Sequence, residues 1–395
     1  MATHLESVAS APDPLDGMSL PGWLYHDAEF FAAEKRAFLR AAPQVVCHQS
    51  DIPQPGDWQA LDYLDESVIV MRGDDGEARA FANVCRHRGS RLVDGTGGCA
   101  KVLTCPYHAW SYARDGRLVG VPHRNEYPGL EPEKLGLLPV ALQQWRGFLF
   151  VTLEPGAPSV AEMMTPYEDE VAPYRFEELR AIGRVTNRPR ALNWKTIADN
   201  YSDGLHIPVG HPGLTRLFGK NYKIEAREHV DRMEGELVDK PSSNPSERAY
   251  QHYLPVAEHL PASHRRKWVY YKLFPNVAFD IYPDQVDFMQ FLPVSATETV
   301  IREISYALPD AFIPKKSRRE MRAARHLNWR INRRVNAEDT ELISRVQAGM
   351  QSPSYIAGPL GTSEACLRSF ARKLRSLIPQ ARLERAPPPG WSRAR

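Results

Sequence analysis

Asn83-Val84-Cys85-Arg86-His87-Arg88-Gly89 and, further on, Cys105-Pro106-Tyr107-His108-Ala109-Trp110 are the stretches that decide what the first part of this chain is. They set a Cys-x-His pair and a Cys-x-x-His pair, with 17 residues between His87 and Cys105. Two thiolates and two imidazoles make a metal-binding set that zinc would accept tetrahedrally. The order Cys-His then Cys-His departs from the usual zinc patterns, in which the cysteines are grouped ahead of the histidines. Gly89, Gly95, Gly97 and Gly98 supply pliable backbone for loops wrapping a centre, and Tyr107 and Trp110 can shield it from solvent. The run Gly95-Thr96-Gly97-Gly98-Cys99-Ala100 matches a loose dinucleotide pattern. It lies between the candidate ligands, with no strand-to-helix crossover to present a helix N-terminus to pyrophosphate.

The surrounding texture is that of a small antiparallel β domain. Ser67–Arg72 and Ala78–Val84 are strand-like runs joined by Gly73-Asp74-Asp75-Gly76, a hairpin signal. Residues 45–155 are assigned to this domain. Residues 1–44 form an extended N-terminal arm followed by a helix over Ala28–Arg40, and Glu154-Pro155-Gly156-Ala157-Pro158 is a turn-rich break. Residues 156–395 read as a second, α+β domain. Strands are expected at Trp268–Leu273, Val277–Tyr282, Phe288–Leu292 and Val300–Leu308, helices from Lys315 to about Gln351 and over Ser363–Leu377, and a Pro-rich tail from Pro387.

Composition bounds the function. Hydrophobic residues at 43% and charged residues at 25% describe a chain able to bury a sizeable core. A net charge of +2 creates no long-range field favouring nucleic acid or an anionic membrane. Neither a secretory signal nor a membrane-length apolar run is visible, so a cytoplasmic location is expected. Five cysteines, an odd and small number, argue against a disulfide framework and for thiols or metal ligation.

A second constellation runs from Asn193 to Gly213 and contains Asp199-Asn200-Tyr201-Ser202-Asp203-Gly204-Leu205-His206-Ile207-Pro208-Val209-Gly210-His211-Pro212. Histidines five apart do not align on a regular helix, so a shared metal requires an irregular turn, which Pro208 favours. With a carboxylate, two histidines make a facial triad that leaves positions on ferrous iron open for oxygen.

Residues 81–120 closely resemble the Rieske domain of ring-hydroxylating oxygenases, and Asp-x-x-His-x-x-x-x-His-Pro resembles that family's catalytic signature. The resemblance implies an N-terminal all-β Rieske domain and a C-terminal helix-grip, START-like domain of antiparallel sheet and helices. It implies a 2Fe-2S cluster with Cys85 and Cys105 on one iron and His87 and His108 on the other, where nitrogen ligands raise the reduction potential. It also implies a mononuclear Fe(II) held by His206 and His211. Asp203 would bridge to a cluster histidine of a neighbouring subunit. The third ligand is expected in a late helix at Asp339, with Glu338 as the fallback. Asn200 would lie near the iron; its alternative is a helix-interior group bonded to backbone. The Asn200–Asp203 spacing resembles the phthalate, vanillate and dicamba type, which implies a homotrimer without a β subunit.

The chain carries no supported nucleotide site, so NAD(P)H would be oxidised by a separate reductase, with or without a ferredoxin. The preferred reading is a terminal oxygenase that hydroxylates or oxidatively O-demethylates a small aromatic compound, with Tyr270, Phe279 or Phe288 lining an apolar pocket. The alternative is hydroxylation or N-demethylation of a quaternary amine, because Asp199–Gly204 also resembles choline monooxygenase-like enzymes. An aromatic cage for a cation would separate the two. A non-catalytic electron-transfer protein needs only the first domain, and a scaffold would not need six intact ligand candidates. The basic run from Lys315 to Arg334 is either a solvated face or a dock for an acidic ferredoxin.

Overall fold

The computed structural model describes residues 13–254 and 257–393. In the first part, seven antiparallel strands lie in the spatial order Gln44–His48, Phe148–Thr152, Pro139–Trp145, Ala78–Ala82, Glu66–Arg72, Asp57–Tyr63 and Thr96–Gly98. The expected hairpin closes with Arg72 opposite Ala78, and Gly76 supplies the positive φ of 83° that its turn needs. A three-stranded sheet, Val102–Thr104, Ser111–Ala113 and Leu118–Gly120, carries the second Cys-x-x-His loop.

The second part is built on an eight-stranded antiparallel sheet. Its order is Arg180–Ala181, Thr299–Ala307, Val286–Pro293, Val277–Ile281, Lys267–Leu273, Val230–Glu236 and Tyr222–Ala226, with Thr186–Arg190 also pairing Thr299–Ala307. The four strands expected between 268 and 308 are all present. Successive side chains on a strand point to opposite faces. Val277, Phe279, Ile281 and Phe288 therefore share one face, where they pack with Trp145, Phe148 and Phe150 of the first sheet in a common core. This corrects one expectation: Phe279 and Phe288 are core residues, whereas Tyr270, on the other phase of its strand, lines a cavity. That other face is covered by Trp194–Ser202 and by the 33-residue helix Arg318–Met350.

The N-terminal helix runs from Ala28 to Glu34 and continues as a π turn over Lys35–Leu39. It packs on the second part of the chain, where Phe30, Phe38 and Leu39 share a core with Trp194 and Phe370. The preceding arm is also tied down from Leu15 onward, because Arg375 donates to the carbonyls of Leu15, Met18 and Ser19. Residues 1–12 of the arm lie outside the described residues. The expected tail does not hang free: Trp391 meets Trp23 edge-on at 6.3 Å, and the amides of Gly390 and Ser392 donate to Glu29.

Lys195 and Glu34 form a fully buried ion pair at 2.8 Å. Breaking such a pair from one side strands a charge in a medium that cannot solvate it. Lys195→Met is expected to cost about 3–5 kcal/mol in denaturant unfolding, and Lys195→Met with Glu34→Leu to recover most of it. A double variant no more stable than the single one would count against this account.

Candidate metal centres and the cavity beside them

The two Cys-His loops have the same shape. In each, the cysteine amide donates to a carbonyl five residues on, Cys85 to Ser90 and Cys105 to Trp110, at 2.8 Å. The residue four on, Gly89 or Ala109, donates back to the cysteine carbonyl at 3.0 and 3.1 Å. Both have positive φ, 70° and 56°. Ala109 accepts a conformation that a Cβ disfavours, and the loop geometry requires it. Both cysteines are buried, and the His87 and His108 rings meet at 4.6 Å between centroids. Trp110 stacks on His87 at 4.9 Å, while the Tyr112 hydroxyl lies 3.2 Å from Cys85 Sγ. Burial works against the Cys105 thiolate, yet the amides of Tyr107 and His108 pull its pKa below the usual thiol value. His87 Nδ1 is buried without a partner. An orphaned imidazole nitrogen and an amide-stabilised thiol fit a metal cluster better than a polar core.

The second centre follows from a broken helix. Asn193 caps Trp194–Ser202 by accepting from the Lys195 amide at 2.9 Å. The helix stops at Asp203, and a single turn, Ile207–Gly210, precedes the next helix, Pro212–Phe218. His211 is the joint: a residue before proline is pushed out of the α region, and its φ and ψ are −124° and 76°. The irregular turn expected from the sequence thus lies at Pro212 as much as at Pro208. It turns the His206 and His211 Nε2 atoms to within 3.1 Å of each other. From the long helix, Asp339 Oδ1 lies 2.9 Å from His211 Nε2 and 3.6 Å from His206 Nε2. One ligand atom from each of His206, His211 and Asp339 falls within 4.8 Å of the others.

The outer ring nitrogens are held by carboxylates, His206 Nδ1 by Asp203 at 3.0 Å and His211 Nδ1 by Glu338 at 2.9 Å. Such partners fix tautomer and ring orientation and leave Nε2 to face a cation. Glu338, named above as the fallback ligand, is therefore on the far side of His211 and outside the converging set. Asn200 Nδ2 donates to Asp339 Oδ1 at 2.7 Å, so its side chain reaches this centre and does not bond to helix backbone. Burial alone would lower the His206 pKa; Asp203 and Asp339 outweigh it and push it up to about 9. Asp339, despite burial, is held down at about 2 by the two histidines. Three carboxylates, Asp203, Glu338 and Asp339, around two imidazoles give the pocket the negative field of a cation site.

Residues 176–380, just over half of the chain, match the family described as ring hydroxylating alpha subunit (catalytic domain). The chain belongs to that family. Residues 42–141 match the Rieske [2Fe-2S] domain, and together the two domains of this ring-hydroxylating alpha subunit imply a Rieske cluster and a mononuclear iron. The donor atoms described above fit both groups. The carnitine monooxygenase oxygenase subunit of Escherichia coli (strain K12) is 34% identical over 205 residues, 51% of this chain and 54% of that protein. The glycine betaine monooxygenase oxygenase subunit of Chromohalobacter salexigens is 35% identical over 196 residues, 50% of this chain and 44% of its own length. The chain thus spans about half the length of the curated relatives it matches. A solved quaternary ammonium Rieske monooxygenase in complex with L-carnitine superposes with a TM-score of 0.74 at 22% identity, covering 92% of this chain and 97% of the other. Naphthalene 1,2-dioxygenase from Rhodococcus sp. bound to indole gives 0.71 at 20% identity, covering 92% and 95%. Both share the α+β fold.

Beside the ring-hydroxylating subunit's His206, His211 and Asp339 lies a cavity of about 90 Å³. Tyr201, Tyr222, Tyr270 and Tyr282 line it, together with Asp280, Asp287 and Glu303 on the sheet. No Lys or Arg is among its lining residues. Tyr201 and Tyr282 both donate to Asp280, and Gln285 Nε2 donates to Asp287 at 2.9 Å. Burial pushes Asp280 up to about 7, with the nearby Glu303 adding to it, and pushes Asp287 well above the carboxylate range. Apart from Tyr270, these sheet residues were not singled out from sequence. The available signal was an acidic residue at the same strand phase in three neighbouring strands. Among the described residues no helix is long and apolar enough to cross a membrane, and none of the five cysteines is in a disulfide.

Proposed function

We propose that this chain is the terminal oxygenase of a multicomponent system that uses O2 and electrons from a separate NAD(P)H-dependent reductase, with or without a ferredoxin, to oxygenate a quaternary amine. The observation that carries this reading is the cavity of four tyrosines and three carboxylates without a Lys or Arg, next to the triad. Aromatic faces attract a cation without needing it to donate hydrogen bonds, and a cation repays the cost of holding buried carboxylates ionised. A neutral aromatic substrate, the first expectation, offers Asp280 no opposite charge. The names of the relatives point the same way.

In this reading His206, His211 and Asp339 hold the iron, and Cys85, His87, Cys105 and His108 hold the cluster. Bound there, the iron supplies open coordination positions for oxygen. Asp203 and Glu338 hold the two imidazoles in orientation, Asn200 holds Asp339, and the tyrosines exclude water around the cationic nitrogen. Asp203 also borders a second, largely apolar hollow of about 350 Å³ shared with Leu342, Val346 and Phe370. A homotrimer in which a neighbouring copy's cluster loops seat against this hollow accounts for an exposed apolar face beside the bridging acid.

The test is oxygen uptake by the purified, metal-loaded protein with a surrogate reductase. Glycine betaine, carnitine and choline are expected to stimulate uptake, and benzoate and vanillate not to. Turnover of the aromatic acids with the amines ignored would sink the proposal. A pH dependence accompanies it. Asp280 must be ionised to attract the cation, so affinity for choline should rise by at most about tenfold per pH unit up to about 7 and level off above it. Titration calorimetry across pH 5.5–8.5 checks the sign; affinity falling as pH rises contradicts it.

A further inference from the structure

On the outer side of Asp287 and Glu303 the charge reverses. The cavity beside the triad shares Asp287, Glu303, Asn332 and Asn336 with a larger chamber of about 930 Å³. Five arginines, Arg184, Arg188, Arg190, Arg325 and Arg333, line this chamber against only those two carboxylates. Three are committed elsewhere. Arg325 donates to the carbonyls of Asp284 and Leu308, Arg333 lies over the Trp329 ring at 5.4 Å, and Arg188 pairs with Glu303.

Arg190 is different. It stands two residues from Arg188 on the strand Thr186–Arg190, so both side chains leave from the same face. Among the described residues the one hydrogen bond of its side chain is from Nη1 to the neighbouring Pro189 carbonyl at 3.0 Å. Its Nε is buried with no partner, as is the Nε of Arg188. Burial, and then the charge of Arg188, weakens its hold on its proton. Among the described residues no acid pairs with Arg190 or with the exposed Arg184. A half-buried guanidinium beside a like charge, with an orphaned N–H, is the donor set that a carboxylate satisfies with charge-assisted, forked hydrogen bonds. Asp287, Glu303, Asn332 and Asn336, which line both chambers, form the partition between them.

We infer that the outer chamber is an anion subsite in which Arg190, supported by Arg188 and Arg184, holds the carboxylate of an elongated zwitterion whose quaternary nitrogen occupies the tyrosine cavity. This rests on the quaternary-amine reading above and sharpens it. The substrate carries its negative charge several bonds from the nitrogen, beyond the partition. A short zwitterion would bring its carboxylate among Asp280, Asp287 and Glu303, where it is repelled.

The test is calorimetric binding to the full-length, metal-loaded protein, using γ-butyrobetaine, its carboxylate-free counterpart n-butyltrimethylammonium, and glycine betaine. The native protein is expected to bind γ-butyrobetaine about tenfold or more tighter than either of the others, the range of one charge-assisted contact. Arg190→Leu should reduce the preference over n-butyltrimethylammonium to within about twofold, Arg190→Lys should keep part of it, and Arg184→Gln, on the exposed rim, should lower it modestly. A native protein that binds the two four-carbon probes equally, or an Arg190→Leu variant that keeps its preference, overturns the subsite and leaves the quaternary-amine reading standing. If no ammonium probe binds the native protein, the broader reading fails and the subsite with it. Should Arg190→Leu not fold, a reduced preference in both Arg190→Lys and Arg184→Gln supports the subsite, and an undiminished preference in Arg190→Lys overturns it.

Discussion

His211→Ala is expected to abolish amine-stimulated oxygen uptake, by more than about 100-fold, while leaving the visible absorption of the cluster intact. His211 is the most heavily committed side chain of the second centre. It is 2% exposed, and its ring is gripped from both sides, by Glu338 at Nδ1 and by Asp339 at Nε2, each at 2.9 Å. Removing the ring takes away one of three converging donors and leaves Asp339 and Glu338 facing an apolar methyl group, so iron affinity and geometry are lost together. Among the described residues the cluster loops share no hydrogen bond with this segment, and two separate measurements should record the difference: iron content falling by about one per chain, and unchanged cluster absorbance. Glu338→Gln is the graded counterpart. It removes the charge that orients His211 without removing the ligand, and a loss of about 10–100-fold in iron affinity or turnover is expected. Full activity in His211→Ala would remove the residue from the ligand set.

Asp203→Asn should keep both metals and still turn over at least about 100-fold more slowly. Asp203 Oδ2 accepts from His206 Nδ1 at 3.0 Å and from the His206 amide at 3.2 Å, while Oδ1 accepts from the Leu205 amide at 2.8 Å. Every atom facing this carboxylate is a donor. An amide has only one acceptor end, so its NH2 must oppose an N–H at one of the two oxygen positions, and the negative charge beside the His206 ring is lost without any change in volume. Asp203 also borders both the triad cavity and the apolar hollow outside it. A purely structural role predicts impaired iron retention; the proposed bridging role predicts normal metal content with slow reoxidation of a pre-reduced cluster in a single turnover. Rapid reoxidation in the variant would rule out the bridge.

The two centres differ in how far they could be read from the chain. Cys85, His87, Cys105 and His108 sit in two tight turns whose hydrogen bonds span no more than five residues, so local spacing carries nearly the whole arrangement. His206 and His211 are similar, because Pro212 forces the break that brings them together. Asp339 lies 128 residues beyond His211. On the long helix it is one position from Glu338, and both are acidic. Which of them faces the iron depends on how Arg318–Met350 is rotated against Trp194–Ser202, and packing sets that rotation.

The substrate cavity lay further out of reach. Tyr270, Phe279 and Phe288 are all aromatic residues in adjacent strands, and from the chain alone they are equivalent. A one-residue change of phase turns a side chain to the opposite face of the sheet. The face that became the core was chosen by Trp145, Phe148 and Phe150 arriving from the other sheet. Tyr270, Asp280, Asp287 and Glu303 were thereby left over the triad. The amino-acid sequence by itself determined the two metal-binding motifs, the four strands between residues 268 and 308 and the family resemblance, because each is written in residues close together along the chain. Only the tertiary structure decided which acid joins the histidines and which tyrosines and carboxylates line the cavity beside them, because both depend on side chains from distant segments converging in a space that packing alone defines.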